Sequence, residues 1–171
     1  MNAPLFLTYF RIVLIPALVI IILSRFPGRE VTAFVIFLAA VLTDMLDGFW
    51  ARRRNKTTTL GQLLDPTADK LLINSVLICL VGTGDVPAWM AVVIIGREIA
   101  VTGFRAIASS RGLNIAASPR GKIKMIAESV TLAVLLLGEK ILGPYFVLGK
   151  IGLWVTVVAA LVSGAEYFVR H

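Results

Sequence analysis

TDMLDGFWARRRNKTTTLGQLLDPTADK, residues 43–70, sets Asp44, Asp47, Asp65 and Asp69 between two long apolar runs. Asp44 and Asp47 are three residues apart and Asp65 and Asp69 four apart, spacings that put each pair on one face of a helix. A short basic connector with Arg52, Arg53, Arg54 and Lys56 joins the two helices, so the two acidic faces can meet at one depth. Gly48, Ala51 and Gly61 keep bulk off the same faces, which suits close approach of a large flat ligand or, equally, of another helix. Pro66 either kinks the later helix or makes Asp65 its N-cap, with proline at the first helical position.

What these acids mean depends on the medium around them. The 171 residues are 58% hydrophobic and 16% charged, with a mean hydropathy of +0.89. That is more apolar and less charged than a soluble domain, and far too apolar for disorder. The single cysteine, Cys79, lies in an apolar run, which excludes a disulfide framework and a cysteine-based zinc site. The remaining class is an all-α integral membrane protein. A hydrocarbon layer about 30 Å thick takes roughly 20 apolar residues per helix, and six transmembrane helices fit that measure, over 5–23, 31–50, 60–81, 86–107, 121–137 and 145–169. The connectors 24–30, 51–59, 82–85, 108–120 and 138–144 carry Gly, Pro and charge. Residues 1–171 read as one domain without repeats, and the first span reads as an anchor rather than a signal peptide, because Ser24-Arg25-Phe26-Pro27 lacks a small-x-small cleavage pattern.

Cations set the orientation. The net charge is +7, and the basic residues concentrate at Arg52–Lys56 and at Arg111, Arg120, Lys122 and Lys124, against Arg25, Arg29 and Lys140 on the other side. The richer side is expected in the cytoplasm, with both termini. Basic residues placed between apolar spans, without a basic helix or aromatic interleaving, point to lipid surface and phosphate and away from nucleic acid.

In such a setting each ionised group costs at least about 2.5–3.5 kcal/mol on insertion scales. Four carboxylates converging at low dielectric stay ionised only if positive charge neutralises them. Divalent metal does so: oxygen ligands without His or Cys select Mg²⁺, Mn²⁺ or Ca²⁺ over zinc, and four aspartates match the charge of two such ions. The competing reading is a structural network with Arg52, Arg53, Arg54 and Lys70, or a single carboxylate relaying protons. In the fourth span, Arg97 and Arg105 are eight residues apart, two turns, and therefore share a face. With Lys122 they suit a doubly charged phosphate, which guanidinium recognises in bidentate fashion. Alternatively Arg97 pairs with Glu98 or Glu128 and Arg105 reaches the interface, while Lys124, Arg111 and Arg120 read as an ordinary cytoplasmic rim. His171 is terminal and lone, the Trp and Tyr residues read mostly as interface anchors with Trp154 as helix surface or packing, and Met45, Met90 and Met125 as apolar filler.

Asp44-x-x-Asp47-Gly48-x-x-Ala51-Arg52, then eight residues to Gly61-x-x-x-Asp65-x-x-x-Asp69, resembles the signature of the CDP-alcohol phosphotransferases at every fixed position. Asn2-x-Pro4-x-x-Leu7-Thr8-x-x-Arg11 with Pro16, Asp65-Pro66-x-Ala68-Asp69-Lys70, Arg97-Glu98 and Gly121-Lys122-x-Lys124 are similar to the members of that family whose acceptor is sn-glycerol 3-phosphate. The resemblance spans essentially the whole chain. It implies a six-helix membrane fold with a polar metal-binding cavity at the cytoplasmic end, in the bacterial cytoplasmic membrane. It implies that Asp44, Asp47, Asp65 and Asp69 hold two Mg²⁺ or Mn²⁺ ions and that Asp69 also accepts a proton. Gly48, Ala51, Arg52, Thr58 and Gly61 are implied to contact CDP-diacylglycerol, and Arg97, Arg105 and Lys122 the phosphate of the acceptor. The implied reaction releases CMP and leaves a phosphorylated lipid, and a homodimer is implied by resemblance alone. Inositol phosphate or phosphatidylglycerol are rival acceptors within the family, and a small cation transporter or channel is the rival outside it.

Overall fold

A computed structural model of the chain shows six α-helices among the described residues: α1 (Ala3–Leu23), α2 (Arg29–Arg54), α3 (Thr59–Thr83), α4 (Ala88–Ser110), α5 (Pro119–Leu142) and α6 (Val147–Arg170), with a 3₁₀ turn at Gly143–Phe146. The backbone is described for residues 3–54, 59–110 and 119–170, and side chains for 9–43, 67–110 and 124–165. The helices coincide with the apolar segments expected from the sequence. Their ends differ from those segments by a few residues: α2 runs to Arg54, four residues past the apolar run, while α4 and α6 each begin two residues inside it.

One expectation is corrected. α3 begins at Thr59 and is helical on both sides of Pro66, so Asp65 is not its N-cap. The helix had already started six residues earlier.

The ends of the helices show how the bundle alternates. A cavity of about 180 Å³ is lined by Ile22 at the end of α1, Arg29 and Glu30 at the start of α2, Thr83 at the end of α3, and Lys140 at the end of α5. Arg29 Nη1 donates to the Ser24 carbonyl oxygen at 2.9 Å, placing a cation on carbonyls that α1 leaves unbonded at its C-terminus. α5 breaks at Gly138 (φ 70°, ψ 166°), where the fifth apolar run stops, and the 3₁₀ turn with Pro144 leads into α6.

α3 packs on α1, α4 and α5, and α5 packs on α2, α3 and α6, so these two helices carry the core. Leu18, Phe37, Leu72, Val76, Leu77, Leu132 and Leu135 fill it, each about 1% exposed. The outer wall is apolar as well: Val13, Ile20, Ile78, Val92, Ile99, Val158 and Leu161 are all more than half exposed. Among the described residues, the stretch 124–165 is long and apolar enough to cross a membrane by length and composition, and 9–23 is a shorter apolar helix. Trp89 and Trp154 meet edge to face at 5.5 Å, so Trp154 is both helix surface and packing partner of α4.

Candidate functional site

The described part of the site is an ionic cluster drawn from three helices. Glu98 of α4 accepts from Arg97 Nη1 at 2.7 Å and from Lys124 Nζ of α5, and its second oxygen lies 3.7 Å from Lys70 Nζ of α3. Lys124 also pairs with Glu128, one turn on, at 3.1 Å. Lys70 Nζ donates to Thr102 Oγ1, and Thr102 donates in turn to the Glu98 carbonyl oxygen at 2.6 Å. Because Lys70 follows Asp69 directly in α3, this link sets Arg97, Glu98 and Thr102 at the depth of Asp69.

The cluster is deepest at its α5 members, while Lys70 on α3 is partly exposed. Lys124 is 4% exposed and Glu128 5%, values at which a charge persists only when paired. Among the described residues, three cations, Lys70, Arg97 and Lys124, are joined through two carboxylates, Glu98 and Glu128. Arg97 Nε is buried without a hydrogen-bond partner, so the guanidinium has a donor to spare. Half-buried Arg105 sits two turns further along α4.

Set against the sequence expectations, the outcome is mixed. Arg97 is paired with Glu98, the competing arrangement, and still shares that carboxylate with Lys70 and Lys124. Lys124 is not a rim residue: it is among the most buried charges described, because Glu98 and Glu128 supply the compensation that lets it leave water. The sequence reading missed Lys124–Glu128 as a site feature, although their i, i+4 spacing inside an apolar helix is the pattern that signals such a pair.

Asp69 is half-buried at this depth. The side chains of Asp44, Asp47, Gly48, Ala51, Arg52, Gly61, Asp65 and Lys122, and all of Thr58, lie outside the described residues. The helical backbone is described at 44–52, 61–65 and 122, and the unbroken turns of α2 and α3 keep Asp44 with Asp47, and Asp65 with Asp69, on one face each. The cavity described among the helix ends is a different one. Thr83 stands fourteen residues beyond Asp69 along α3, roughly 21 Å at the rise of an α-helix.

Comparison with known proteins adds the chemistry that geometry alone leaves open. Residues 1–162 match the family model described as CDP-alcohol phosphatidyltransferase. A protein of Bacillus subtilis named CDP-diacylglycerol–glycerol-3-phosphate 3-phosphatidyltransferase is 39% identical, with 99% of this chain and 95% of that protein covered. Proteins of the same name from Rickettsia bellii and Salmonella choleraesuis are 32% and 35% identical, covering 98% and 90% of this chain and 93% and 90% of their own length.

Proposed function

This chain belongs to the CDP-alcohol phosphatidyltransferase family, and from that premise we infer that it transfers a phosphatidyl group from CDP-diacylglycerol to sn-glycerol 3-phosphate, giving phosphatidylglycerophosphate and CMP. The observation that carries the choice of acceptor is the convergence of three cations beside Asp69, where Lys70, Arg97 and Lys124 from three helices meet on the single carboxylate of Glu98. An acceptor that bears a phosphate dianion uses such a group of cations; free choline, ethanolamine or serine does not. The names of the relatives support the same acceptor.

The protein is read as a six-span membrane enzyme with its site at the cytoplasmic end. The apolar outer wall and the alternation of the helices support this. Soluble glycerol 3-phosphate then enters from water, while the acyl chains of the donor stay in lipid.

Asp44, Asp47, Asp65 and Asp69 offer carboxylate oxygens only, a donor set that suits a hard divalent ion such as Mg²⁺ or Mn²⁺. These residues would hold the metal, which when bound polarises the pyrophosphate and stabilises its departing oxygen. The residues of the chain do the rest. Arg97, Arg105 and Lys122, with Lys70 and Lys124, hold the acceptor phosphate and aim its hydroxyl. Asp69 takes the hydroxyl proton as the oxygen attacks the β-phosphorus, and the bond from that phosphorus to the CMP oxygen breaks. Gly48, Ala51, Arg52, Thr58 and Gly61 are assigned to the nucleotide and its pyrophosphate.

The test is an acceptor panel with purified full-length protein, CDP-diacylglycerol and Mg²⁺ or Mn²⁺. CMP release with glycerol 3-phosphate is expected, and chelation should stop it. Release only with inositol phosphate or phosphatidylglycerol assigns another acceptor, and no release with any acceptor, combined with cation flux in vesicles, assigns a transporter.

A further inference from the structure

We propose that Glu98 is the positioning residue of the acceptor-phosphate site, its single carboxylate holding Arg97, Lys70 and Lys124 from three helices as one preset cradle. The proposal rests on the acceptor reading given above.

An acid inside an anion site is at first sight unfavourable, because it repels the ligand. It is tolerated here because three cations share the one carboxylate of Glu98. What the acid contributes is order. Lys and Arg side chains are long and rotamer-rich, and a ligand that must immobilise three of them on arrival loses affinity in doing so. Glu98 fixes all three head groups beforehand. Its oxygens take Arg97 Nη1 at 2.7 Å, Lys124 Nζ, and Lys70 Nζ at 3.7 Å.

The surroundings hold Glu98 and its partners in turn. Thr102 Oγ1 receives Lys70 and bonds back to the Glu98 carbonyl, so α3 and α4 are tied at this level. A Cβ on Gly164 of α6 would stand 3.3 Å from Arg97 Cγ, so α6 closes against the stem of the arginine and fixes its path. Arg97 Nε remains a buried donor without a partner, so Glu98 does not exhaust the hydrogen-bonding capacity of the guanidinium. Glu98 touches no reacting atom in this arrangement and acts through the cations it orients.

The experiment is steady-state CMP release by full-length protein in detergent, with each substrate varied in turn, for the wild type, Glu98→Gln and Glu98→Asp. Glu98→Gln is expected to raise KM for glycerol 3-phosphate about tenfold or more, since unpinned cations must be ordered by the substrate. KM for CDP-diacylglycerol should stay close to wild type, and Glu98→Asp, which keeps the charge, should recover part of the loss. Equal rises in both KM values, or an unmoved KM for glycerol 3-phosphate in folded variants, overturn the positioning role. If Glu98→Gln does not fold, Glu98→Asp carries the same comparison with the same overturning results. Wild-type protein that releases CMP only with a different acceptor sinks the acceptor reading and this proposal with it. Wild-type release with glycerol 3-phosphate beside an unmoved variant sinks the proposal alone.

Discussion

Lys124 and Glu128 face each other across one turn of α5, Nζ to Oε2 at 3.1 Å, with both side chains almost wholly withdrawn from the surface. Removing one partner of a buried pair usually costs about 3–5 kcal/mol, because the other charge is stranded. Lys124 keeps Glu98 as a second partner, so Glu128→Gln should cost less, about 1–3 kcal/mol. Thermal unfolding in detergent checks it. A midpoint equal to wild type would show that Glu98 alone suffices for Lys124.

The seam between α5 and α6 should reject a single added methyl. A Cβ on Gly152 would fall 2.5 Å from Thr131 Oγ1, and Thr131 cannot swing aside freely because it is β-branched and its hydroxyl is bonded to the Ala127 carbonyl at 2.7 Å. Gly152→Ala is expected to destabilise by about 1–3 kcal/mol through overpacking. Gly96→Ala on α4 meets nothing within 4 Å and serves as the tolerated comparison. Similar unfolding midpoints for the two variants would refute this account of the seam.

Two substitutions separate the roles assigned to Asp69 and Arg105. Asp69→Asn should leave CDP-diacylglycerol binding measurable while CMP release falls about 10²–10⁴-fold, the usual contribution of a general base. Turnover above roughly one tenth of wild type removes Asp69 from that role. Arg105→Ala should raise KM for glycerol 3-phosphate far more than KM for CDP-diacylglycerol. Equal effects on the two substrates would make Arg105 structural.

Acid stability gives a readout away from the site. A hydrogen bond from its own backbone lowers the pKa of Glu30 at the start of α2, against the opposing pull of burial and with help from Arg29, whose Nε lies 3.2 Å from Oε1. A carboxyl that is more acidic when folded adds stability above its unfolded value, near 4.5, and loses it as pH falls from there through the folded value. Wild-type protein should therefore lose melting temperature faster than Glu30→Gln as pH drops below 4.5. Parallel acid limbs would show that Glu30 contributes nothing to the dependence.

Much of the helical plan was legible because apolar run length is a direct physical ruler, and it placed each helix to within a few residues. The reading of Lys124 failed on two counts, a local i, i+4 partner in Glu128 that was passed over and a second partner far along the chain. The Glu128 spacing was legible, but nothing local says that Glu98, 26 residues earlier, will also take the charge of Lys124 into the bundle. Pro66 was ambiguous for a related reason. Proline favours a helix start when only its own turn is considered, yet α3 had already nucleated at Thr59. The acidic signature was readable from spacing alone, because i, i+3 and i, i+4 fix a shared face without reference to any distant element.

The break in α5 bears on how inactive variants of this protein are to be interpreted. At φ 70° and ψ 166°, Gly138 holds a backbone geometry that other residues enter only at about 1–3 kcal/mol of strain. A missense change at that codon therefore strains the chain where α5 breaks, in the wall of the cavity that also holds Thr83, about 21 Å along α3 from Asp69. A genetic screen scored by lipid product alone would rank Gly138 beside the aspartates, and only a measure of how much intact protein reaches the membrane would tell a broken hinge from a broken catalyst.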